Sequence, residues 1–431
     1  MSDNLEENNN KNHNNIESND KQKNNSSSDS EVFVYEEDSV IFVYPLTIPS
    51  TEYLNELLQE LLQELYTLLL NLESEDDINH LCEFINNFLF EYDLNANDVL
   101  DFMASYSENI SYYSSLIGYF YQHGIGCEID GNKALEIFSD CVKNNQKSNL
   151  EQENDSTIFC YNEDIRKLNE VILQYFYIIF LYEDVILYRK KNYKLHIKDA
   201  ENGDNVSQYH LGNCYHNGGF NIKQDYNMAI EWYLKSSEGG NIKAMYKLGY
   251  CCDHGCGVTK DEKKAFELYL KSAEGGYKHA IKNVGVRYFN GQGTLKDENK
   301  AFEWHLRAAK KGHSTSQYFV ANHYFYLDEE IAFYWVRKAA INGNIDAQFE
   351  LAEYYLNNSI NKDEKKAFKW YLRLANNYEY RAIYSVAKCY RDGIGIDKNL
   401  ELSAIWFKKY IGEKDSFALN DFLNCSGYYS L

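Results

Sequence analysis

A short motif recurs throughout the second half of the chain, and its period constrains the fold more than any other feature. In each copy an aliphatic residue precedes a glycine or alanine, as in L-G-N-C-Y at 211–215 and V-A-K-C-Y at 386–390. Successive copies lie 31 to 37 residues apart. The small residues are Gly212, Gly249, Gly285, Ala321, Ala352 and Ala387, and an earlier copy, I-G-Y-F-Y, lies at 117–121. This period predicts two-helix units that bury their apolar faces by stacking on their neighbours.

All five tryptophans of the chain occupy one register of the repeat, three residues after a small residue. The pairs are Ala229/Trp232, Ala301/Trp304, Ala332/Trp335, Ala367/Trp370 and Ser403/Trp406. The spacing predicts a second helix, helix B, whose small residue and tryptophan pack on the first helix, helix A, so that the five indoles mark equivalent seams. Aspartates before helix B are the predicted N-caps, namely Asp225, Asp261, Asp297, Asp363 and Asp397.

Glycine-rich segments separate the two helices of several units. H-G-C-G at 254–257 and N-G-Q-G at 290–293 predict tight connections, because glycine readily adopts open backbone conformations. These segments and H-G-I-G at 123–126 superficially resemble phosphate loops, but none follows a strand or contains G-K-[ST], which favours the turn interpretation. The fourth copy lacks the loop at 325–330 and the fifth has N-N-S at 357–359, so altered turns are expected there.

The N-terminal quarter differs from the rest in charge and composition. Residues 1–110 contain 24 acidic and 3 basic side chains, and the remaining residues contain 41 and 40. Residues 1–30 are rich in Asn and Ser and predict disorder. Two β-prone patches within 31–44 flank Glu36-Glu37-Asp38, and they form either a hairpin or a linear motif that docks elsewhere. The acidity makes nucleic acid a poor partner for this quarter.

Helical patterns follow the acidic tail. Leucines at three- and four-residue spacing over 54–69 predict an amphipathic helix capped by Ser50 or Thr51. Further helices are predicted near 77–91 and 96–109, with Asp76 and Asn97 as their caps.

An apolar stretch, Val171 to Tyr182, interrupts the array and allows two interpretations. A membrane span requires enough residues to cross a hydrocarbon core of about 30 Å, and this short stretch contains Gln174. A buried helix of the solenoid is therefore favoured. The N-terminus shows no secretory pattern, so the sequence predicts a cytoplasmic or nuclear protein with reduced thiols and no membrane span.

Candidate ligands for a metal ion lie close together in one repeat. They are Cys251, Cys252, His254 and Cys256. A zinc site usually draws its ligands from two separated pairs, and only one pair is present here. Cys251 shares its repeat position with Cys214 and Cys389, which favours a structural role. No nucleophile-elbow, kinase or H-E-x-x-H motif occurs, so we predict no catalytic residue, no metal site and no cofactor.

The full pattern, A-x-x-x-L-G-x-x-Y-x-x-G-x-G-x-x-x-D-x-x-K-A-F-x-W-x-x-K-A-A-x-x-G, resembles the Sel-one-like repeat, a relative of the tetratricopeptide repeat. Copies at 206–241, 242–277 and 278–313 match closely, whereas those at 314–344, 345–377, 378–410 and 111–145 are weaker. The resemblance implies an all-α right-handed solenoid of helix-turn-helix repeats behind a disordered tail. The expected segments are a tail at 1–48, a helical segment at 49–110, a degenerate repeat at 111–145, a helical insertion at 146–205, six repeats at 206–410 and a cap at 411–431.

The resemblance also implies a binding surface, because helix A lines the concave groove of tetratricopeptide-type solenoids. The outward positions lie three before and one after each small residue. The predicted groove residues are Tyr209, Asn213, Tyr246, Tyr250, Lys282, Val286, Tyr318, Asn322, Phe349, Glu353, Tyr384 and Lys388. Tyrosines and amides suit an extended peptide or a partner helix. The alternative is that some of these tyrosines pack between repeats.

Relatives of this kind serve as adaptors in signalling and in protein complexes. We therefore predict a non-enzymatic scaffold or adaptor that binds other proteins or peptides, with no nucleic-acid partner and an undetermined oligomeric state. A second hypothesis is hydrolase activity, which has been linked to cysteine-rich bacterial relatives; the regular cysteine pairs of those proteins do not occur in this sequence. In a third hypothesis, the acidic tail or residues 31–44 fold over the groove and regulate access.

Overall fold

The chain divides into two units, Met1–Thr47 and Ile48–Leu431. The computed structural model describes residues 33–36, 39–42, 50–71, 75–105, 107–148, 160–191, 193–218, 222–358 and 362–411. The predicted disorder of residues 1–30 and the predicted cap after residue 411 lie outside the described residues.

In the first unit, two short strands form an antiparallel pair. β1 (Phe33–Glu36) pairs with β2 (Ser39–Phe42), so that Phe33 lies opposite Phe42 and Tyr35 opposite Val40. β-Branched and aromatic residues favour a pleated strand. Of the two alternatives for this segment, the structure shows the hairpin.

The regular structure of the second unit is helical throughout its described residues. Helices before the array are α1 (Thr51–Leu70), α2 (Glu75–Glu91), α3 (Ala96–Ala104), α4 (Ser107–His123), α5 (Gly131–Ser148), α6 (Cys160–Lys191) and α7 (Tyr193–Glu201). The A helices of the six repeats are α8 (Asn205–Asn217), α10 (Ile242–His254), α12 (Lys278–Asn290), α14 (Ser314–Tyr324), α16 (Ile345–Asn357) and α18 (Tyr380–Asp392). Their B helices are α9 (Tyr226–Glu238), α11 (Glu262–Glu274), α13 (Glu298–Lys310), α15 (Glu329–Ile341), α17 (Glu364–Asn376) and α19 (Leu400–Ile411). The predicted all-α repeat fold is confirmed.

Four of the five predicted aspartate caps are confirmed. The side chains of Asp225, Asp261, Asp297 and Asp363 each accept a hydrogen bond from a backbone N–H in the first turn of helix B. The prediction of Asp397 is wrong, because α19 begins at Leu400 and Asn399 Oδ1 accepts from the N–H of Leu402 at 2.9 Å. Asparagine and aspartate oxygens serve equally well as N-cap acceptors.

The boundaries of the N-terminal helices differ from those predicted, except that Ser50 caps α1 as expected. α2 begins at Glu75, so Asp76 lies inside the helix instead of capping it. Asn95, and not Asn97, caps α3. The helix predicted over 96–109 is two helices that are separated at Ser105.

Within a repeat, the residue after the tryptophan position of helix B, which Leu268 occupies in the second of the six repeats, packs against the small residue of helix A. A Cβ placed on Gly212 would lie 2.6 Å from Cδ1 of Tyr233, and one placed on Gly249 would lie 2.9 Å from Cδ1 of Tyr269. Tyr233 is buried, whereas Trp232 is half-buried. The predicted packing face is therefore displaced by one residue. Positions three and four along a helix share a side, so the spacing alone could not choose between them.

The five tryptophans share a helix position but not an environment. Trp370 and Trp406 are buried, whereas the other three are half-buried. Lys235 lies over the Trp232 ring at 4.3 Å, and Arg307 lies over the Trp304 ring at 4.1 Å. Lys409 likewise lies over the ring of buried Trp406 at 4.7 Å, so a covering basic side chain does not set the burial. The five indoles are therefore equivalent in their position on helix B but not in how deeply they are buried.

The interrupting apolar stretch lies in α6 and buries only one of its faces. Ile172, Leu173 and Phe176 are buried in a core shared with α1, α4 and α5, but Val171 and Ile178 are exposed. The buried-helix interpretation thus holds for one face of α6 and not for the face that carries Val171 and Ile178. Among the described residues, no helix has both the length and the apolar content needed to cross a membrane.

The N-terminal helices pack back onto the fourth and fifth repeats. Ile341 of α15 belongs to the same apolar core as the leucines of α1. The side chain of Asn87 in α2 donates to the carbonyl oxygen of Ile341 at 3.0 Å. Lys338 of α15 pairs with Glu64 of α1 at 2.6 Å. The array is therefore not free along its whole length, because helices some 250 residues earlier in the sequence cover part of it.

A buried carboxylate joins these two parts of the chain. Glu91, at the end of α2, is only 1% exposed. It accepts hydrogen bonds from Nε of Arg337 at 3.0 Å, from Nε1 of Trp370 at 2.9 Å and from the hydroxyl of Tyr355. We call these four residues the Glu91 cluster. Burial and then the Glu91 charge raise the pKa of Tyr355, which keeps its hydroxyl a donor.

Candidate protein-binding groove

The twelve predicted groove residues all lie on A helices, two on each of the six helices. Most of them are half-buried. Asn322, Tyr384 and Lys388 are exposed. The predicted residues thus recur at the same two positions of every A helix.

Side chains link neighbouring A helices into a continuous row. The amide of Asn283 in α12 donates to the Tyr246 hydroxyl of α10 at 3.3 Å. The Tyr318 hydroxyl of α14 donates to Oε2 of Glu350 in α16 at 3.1 Å. The other three junctions are bridged by the ring pairs His216–Tyr250 and Phe289–Phe319, at 5.8 and 5.5 Å, and by a hydrogen bond from Arg381 to Asp346 at 2.7 Å. Side chains of successive A helices therefore meet at each junction of the row.

Part of this row serves the packing of the repeats themselves. The Tyr246 ring lies 5.3 Å from that of Tyr269 and 5.1 Å from that of Tyr277. Asn213 accepts a hydrogen bond from the Tyr233 hydroxyl at 2.7 Å. These residues fit the alternative that some groove tyrosines and amides pack between helices. A substitution that removes the Tyr246 ring would therefore change the packing between helices as well as the exposed surface.

The charge of the row changes along the array. Burial lowers the pKa of Lys247 in α10 and of Lys282 in α12. Burial, and then Lys282, lower the pKa of His305 to about 4, so this imidazole is neutral at neutral pH. Further along, α16 presents Glu350 and Glu353. Sequence reasoning missed Lys247 and Glu350, which lie directly before the aliphatic residue of the motif, a position that its spacing rule did not include.

An open cleft of about 820 Å³ lies where the fourth repeat lacks its glycine loop. α14 ends at Tyr324, and the N–H of Leu327 donates to the carbonyl oxygen of Tyr324 at 2.8 Å, which confirms the tighter turn expected there. The cleft is lined by Phe325, Tyr326, Leu327, Asp328, Glu329, Phe349, Glu350, Glu353, Tyr354, Asn357, Asn358 and Arg381. Two of these, Phe349 and Glu353, are predicted groove residues. The lost loop was the sequence signal for Phe325 to Glu329, and no motif marked the remaining lining residues.

The candidate metal ligands contribute to packing. Cys251 and Cys252 are buried, and Sγ of Cys251 lies 3.9 Å from Nδ1 of His216. Burial raises the pKa of Cys251 to about 12, which keeps it a thiol at neutral pH. In the part of the chain that the structure describes, no group of three or more His, Cys, Asp or Glu side chains is placed to hold a metal ion.

The repeats seen in the fold also match a family model, the Sel1 repeat. The matched residues are 115–139, 205–241, 242–277, 278–313, 314–344, 345–378 and 381–409, together more than half of the sequence. The chain belongs to the Sel1 repeat family. The predicted family is therefore confirmed. Seven repeats of this Sel1 repeat protein match the model, and its fold is of the scaffold type.

Similarity to individual proteins is more limited. A stretch of 62 residues is 37% identical to the chitin synthase regulator SKT5 of Saccharomyces cerevisiae. That stretch is 14% of this chain and spans only 9% of SKT5.

Two solved structures of repeat proteins are also similar. The protective antigen c5321 of uropathogenic Escherichia coli, which displays an SLR fold, is 21% identical, with 88% of this chain and 91% of that chain covered and a TM-score of 0.48. A Sel1 repeat protein from Oxalobacter formigenes is 24% identical, with 68% and 99% covered and a TM-score of 0.37.

Proposed function

We propose that this Sel1 repeat protein is a non-enzymatic cytoplasmic adaptor that binds partner proteins along its row of A helices. The observation that carries the proposal is the continuity of that row, which places aromatic, amide and charged side chains in one register over six repeats. Such a surface suits an extended peptide or a helix, because each repeat supplies a similar contact at a regular interval. The short similarity to a protein named as a regulator supports a role in regulation or complex assembly.

The exposed residues of the row are the ones that we expect to contact a partner. Tyr384 is 39% exposed, and Asn322 and Lys388 are also exposed. Tyrosine is enriched among residues that dominate binding energies, since its ring contributes a large contact area and its hydroxyl can form a hydrogen bond. Residues such as Tyr246, which contact neighbouring helices, hold the surface in place.

A triple variant, Asn322→Ala with Tyr384→Ala and Lys388→Glu, tests this assignment. We expect labelling of its partners to fall about tenfold or more in a proximity-labelling experiment with the full chain, as removal of dominant interface residues typically costs about 2 kcal/mol. The measurement is quantitative mass spectrometry of labelled proteins, with circular dichroism confirming the fold.

The matched control changes exposed apolar residues of B helices, Leu234→Ser with Ile405→Ser. These residues lie outside the row, so partner labelling should be unchanged. If the control loses the partners and the groove variant keeps them, the binding surface is on the B helices and the proposed groove is wrong.

A further inference from the structure

The cleft beside the shortened fourth turn combines apolar side chains at its rim with carboxylates. Tyr326 is 91% exposed and Leu327 is 70% exposed, and Phe325 lies next to them. Exposed neighbouring apolar residues of this size mark interaction sites more often than isolated ones do. At about 820 Å³ the cleft is within the range of about 300–1,000 Å³ of pockets that bind ligands.

Four carboxylates line the cleft. Glu350 accepts from the Tyr318 hydroxyl, and Glu353 accepts from the Tyr371 hydroxyl and from Nδ2 of Asn357 at 3.0 Å. Glu329 accepts from Nδ2 of Asn358 at 2.5 Å. These partners are neutral, so they orient the carboxylates without cancelling their charge. The fourth carboxylate, Asp328, caps α15.

Among the lining residues that the structure describes, one is basic, and its charge is paired with acids outside the cleft. Arg381 donates to Glu379 at 2.9 Å and to Asp346 at 2.7 Å, and neither of these acids lines the cleft. The guanidinium also lies over the Phe349 ring, 4.9 Å from its centroid. The cleft therefore has an excess of negative charge, and one aromatic ring of its wall, Phe349, already lies against a guanidinium.

One hydrogen-bonding group of the wall is unused. The hydroxyl of Tyr354 is buried and has no hydrogen-bond partner within the described part of the chain. Burial, and then the charges of Glu350 and Glu329, raise the pKa of Tyr354 to about 12, so its hydroxyl is neutral. A buried polar group without a partner is unfavourable, and a bound polar ligand would relieve this.

We propose that this cleft binds an arginine of a partner protein's peptide, flanked by an apolar residue that packs on Tyr326 and Leu327. Arginine fits because its planar guanidinium donates several hydrogen bonds to carboxylates and also stacks on aromatic rings. The inference rests on the proposed function, since it assigns the chemistry of the partner at one part of the A-helix row.

Selection from a random peptide library displayed on phage, with the full chain as the target, tests the proposal. The peptides retained should be enriched in arginine beside an apolar residue. For the best peptide, replacing that arginine by citrulline, which removes the charge and keeps the shape, should raise the Kd about tenfold or more.

Two variants locate the binding site. Glu350→Gln with Glu353→Gln should raise the Kd of the arginine peptide about tenfold. Tyr326→Ser with Leu327→Ser should also weaken binding, and it changes only exposed side chains, so its fold should be preserved. The control is Glu303→Gln with Glu330→Gln, which removes the same charge from exposed residues outside the cleft and should leave the Kd unchanged.

The proposal is overturned if no peptide is enriched, if the enriched peptides lack arginine, or if both cleft variants bind the peptide as tightly as the control does. If the cleft variants also retain the labelled partners while the triple groove variant loses them, the adaptor function stands without this specificity. Retention of those partners by the triple groove variant as well would contradict the groove assignment too.

Discussion

Glu91→Ala should destabilise the chain by about 3–5 kcal/mol, the largest loss that we expect from a single side-chain truncation. The carboxylate is buried and accepts hydrogen bonds from Arg337, Tyr355 and Trp370. Removing one partner of a buried ion pair leaves the other charge without compensation, which costs about this amount. It also leaves the Trp370 N–H and the Tyr355 hydroxyl without their acceptor.

The effect should be concentrated where α2 meets the array. Because stability in a repeat array is distributed among neighbouring units, unfolding need not be two-state. We therefore expect hydrogen exchange to increase first in α2, α15 and α17, alongside the shift in the urea midpoint. Glu91→Gln, which keeps the shape and one acceptor, should be less damaging than Glu91→Ala.

Glu83→Ala is the matched control for this prediction. Glu83 lies on the same helix, is largely exposed and pairs with His80 at 3.4 Å. Exposed ion pairs contribute about 0–1 kcal/mol, so this variant should unfold almost as the wild type does. Equal losses for the two alanine variants would show that the Glu91 cluster does not hold α2 on the array.

Gly293→Ala should be much more damaging than Gly291→Ala, although both glycines belong to one loop. Both have φ near +70°, so alanine at either position carries the left-handed penalty of about 1–2 kcal/mol. A Cβ on Gly291 would lie 3.3 Å from both Cβ and the backbone N of Lys296, and no atom outside its immediate chain neighbours would be nearer. A Cβ on Gly293 would overlap the backbone carbonyl oxygen of Glu262, which cannot move aside as a flexible side chain can.

We expect a loss of about 1–2 kcal/mol for Gly291→Ala and of about 2–5 kcal/mol for Gly293→Ala, because overpacking adds about 1–3 kcal/mol. Chemical unfolding compares the two variants, and hydrogen exchange in the first turn of α11 reports the displaced contact. The last repeat provides an independent copy, in which a Cβ on Gly395 would overlap the carbonyl oxygen of Glu364, whereas the nearest atom to a Cβ on Gly393 is Cβ of Lys398 at 3.6 Å. Equal effects within each loop would contradict the close approach of the backbones.

Much of the repeat architecture follows from local patterns in the sequence. The period of the small residues indicated each helix pair, and Asp225, Asp261, Asp297 and Asp363 were predicted as caps because capping depends only on the residues of the first turn. The same locality explains the errors. Asn95 and Asn399 are as good acceptors as the neighbouring polar residues that were chosen, so residue type did not distinguish between them.

The groove prediction shows where local patterns are insufficient. The repeat register placed Tyr246 and Tyr384 at equivalent positions, but Tyr246 is half-buried between Tyr269 and Tyr277, whereas Tyr384 is 39% exposed although its ring lies 5.2 Å from that of Tyr410. This difference depends on the residues of the next repeat. The cleft carboxylates Glu350 and Glu353 could be read from the sequence as neighbours on a helix, but not as the wall of a cleft beside residues 325–329.

The sequence by itself determined the repeat family, the helix pairs and the conformations that require glycine, because these depend on side chains close together along the chain. Only the tertiary structure shows that Glu91 meets Arg337 and Trp370, and that Gly293 touches the backbone of the preceding repeat at Glu262. Contacts between residues far apart in sequence arise from how the helices stack and where the chain folds back. No local period encodes those distances, which is why the buried carboxylate and the open cleft appear only in the folded protein.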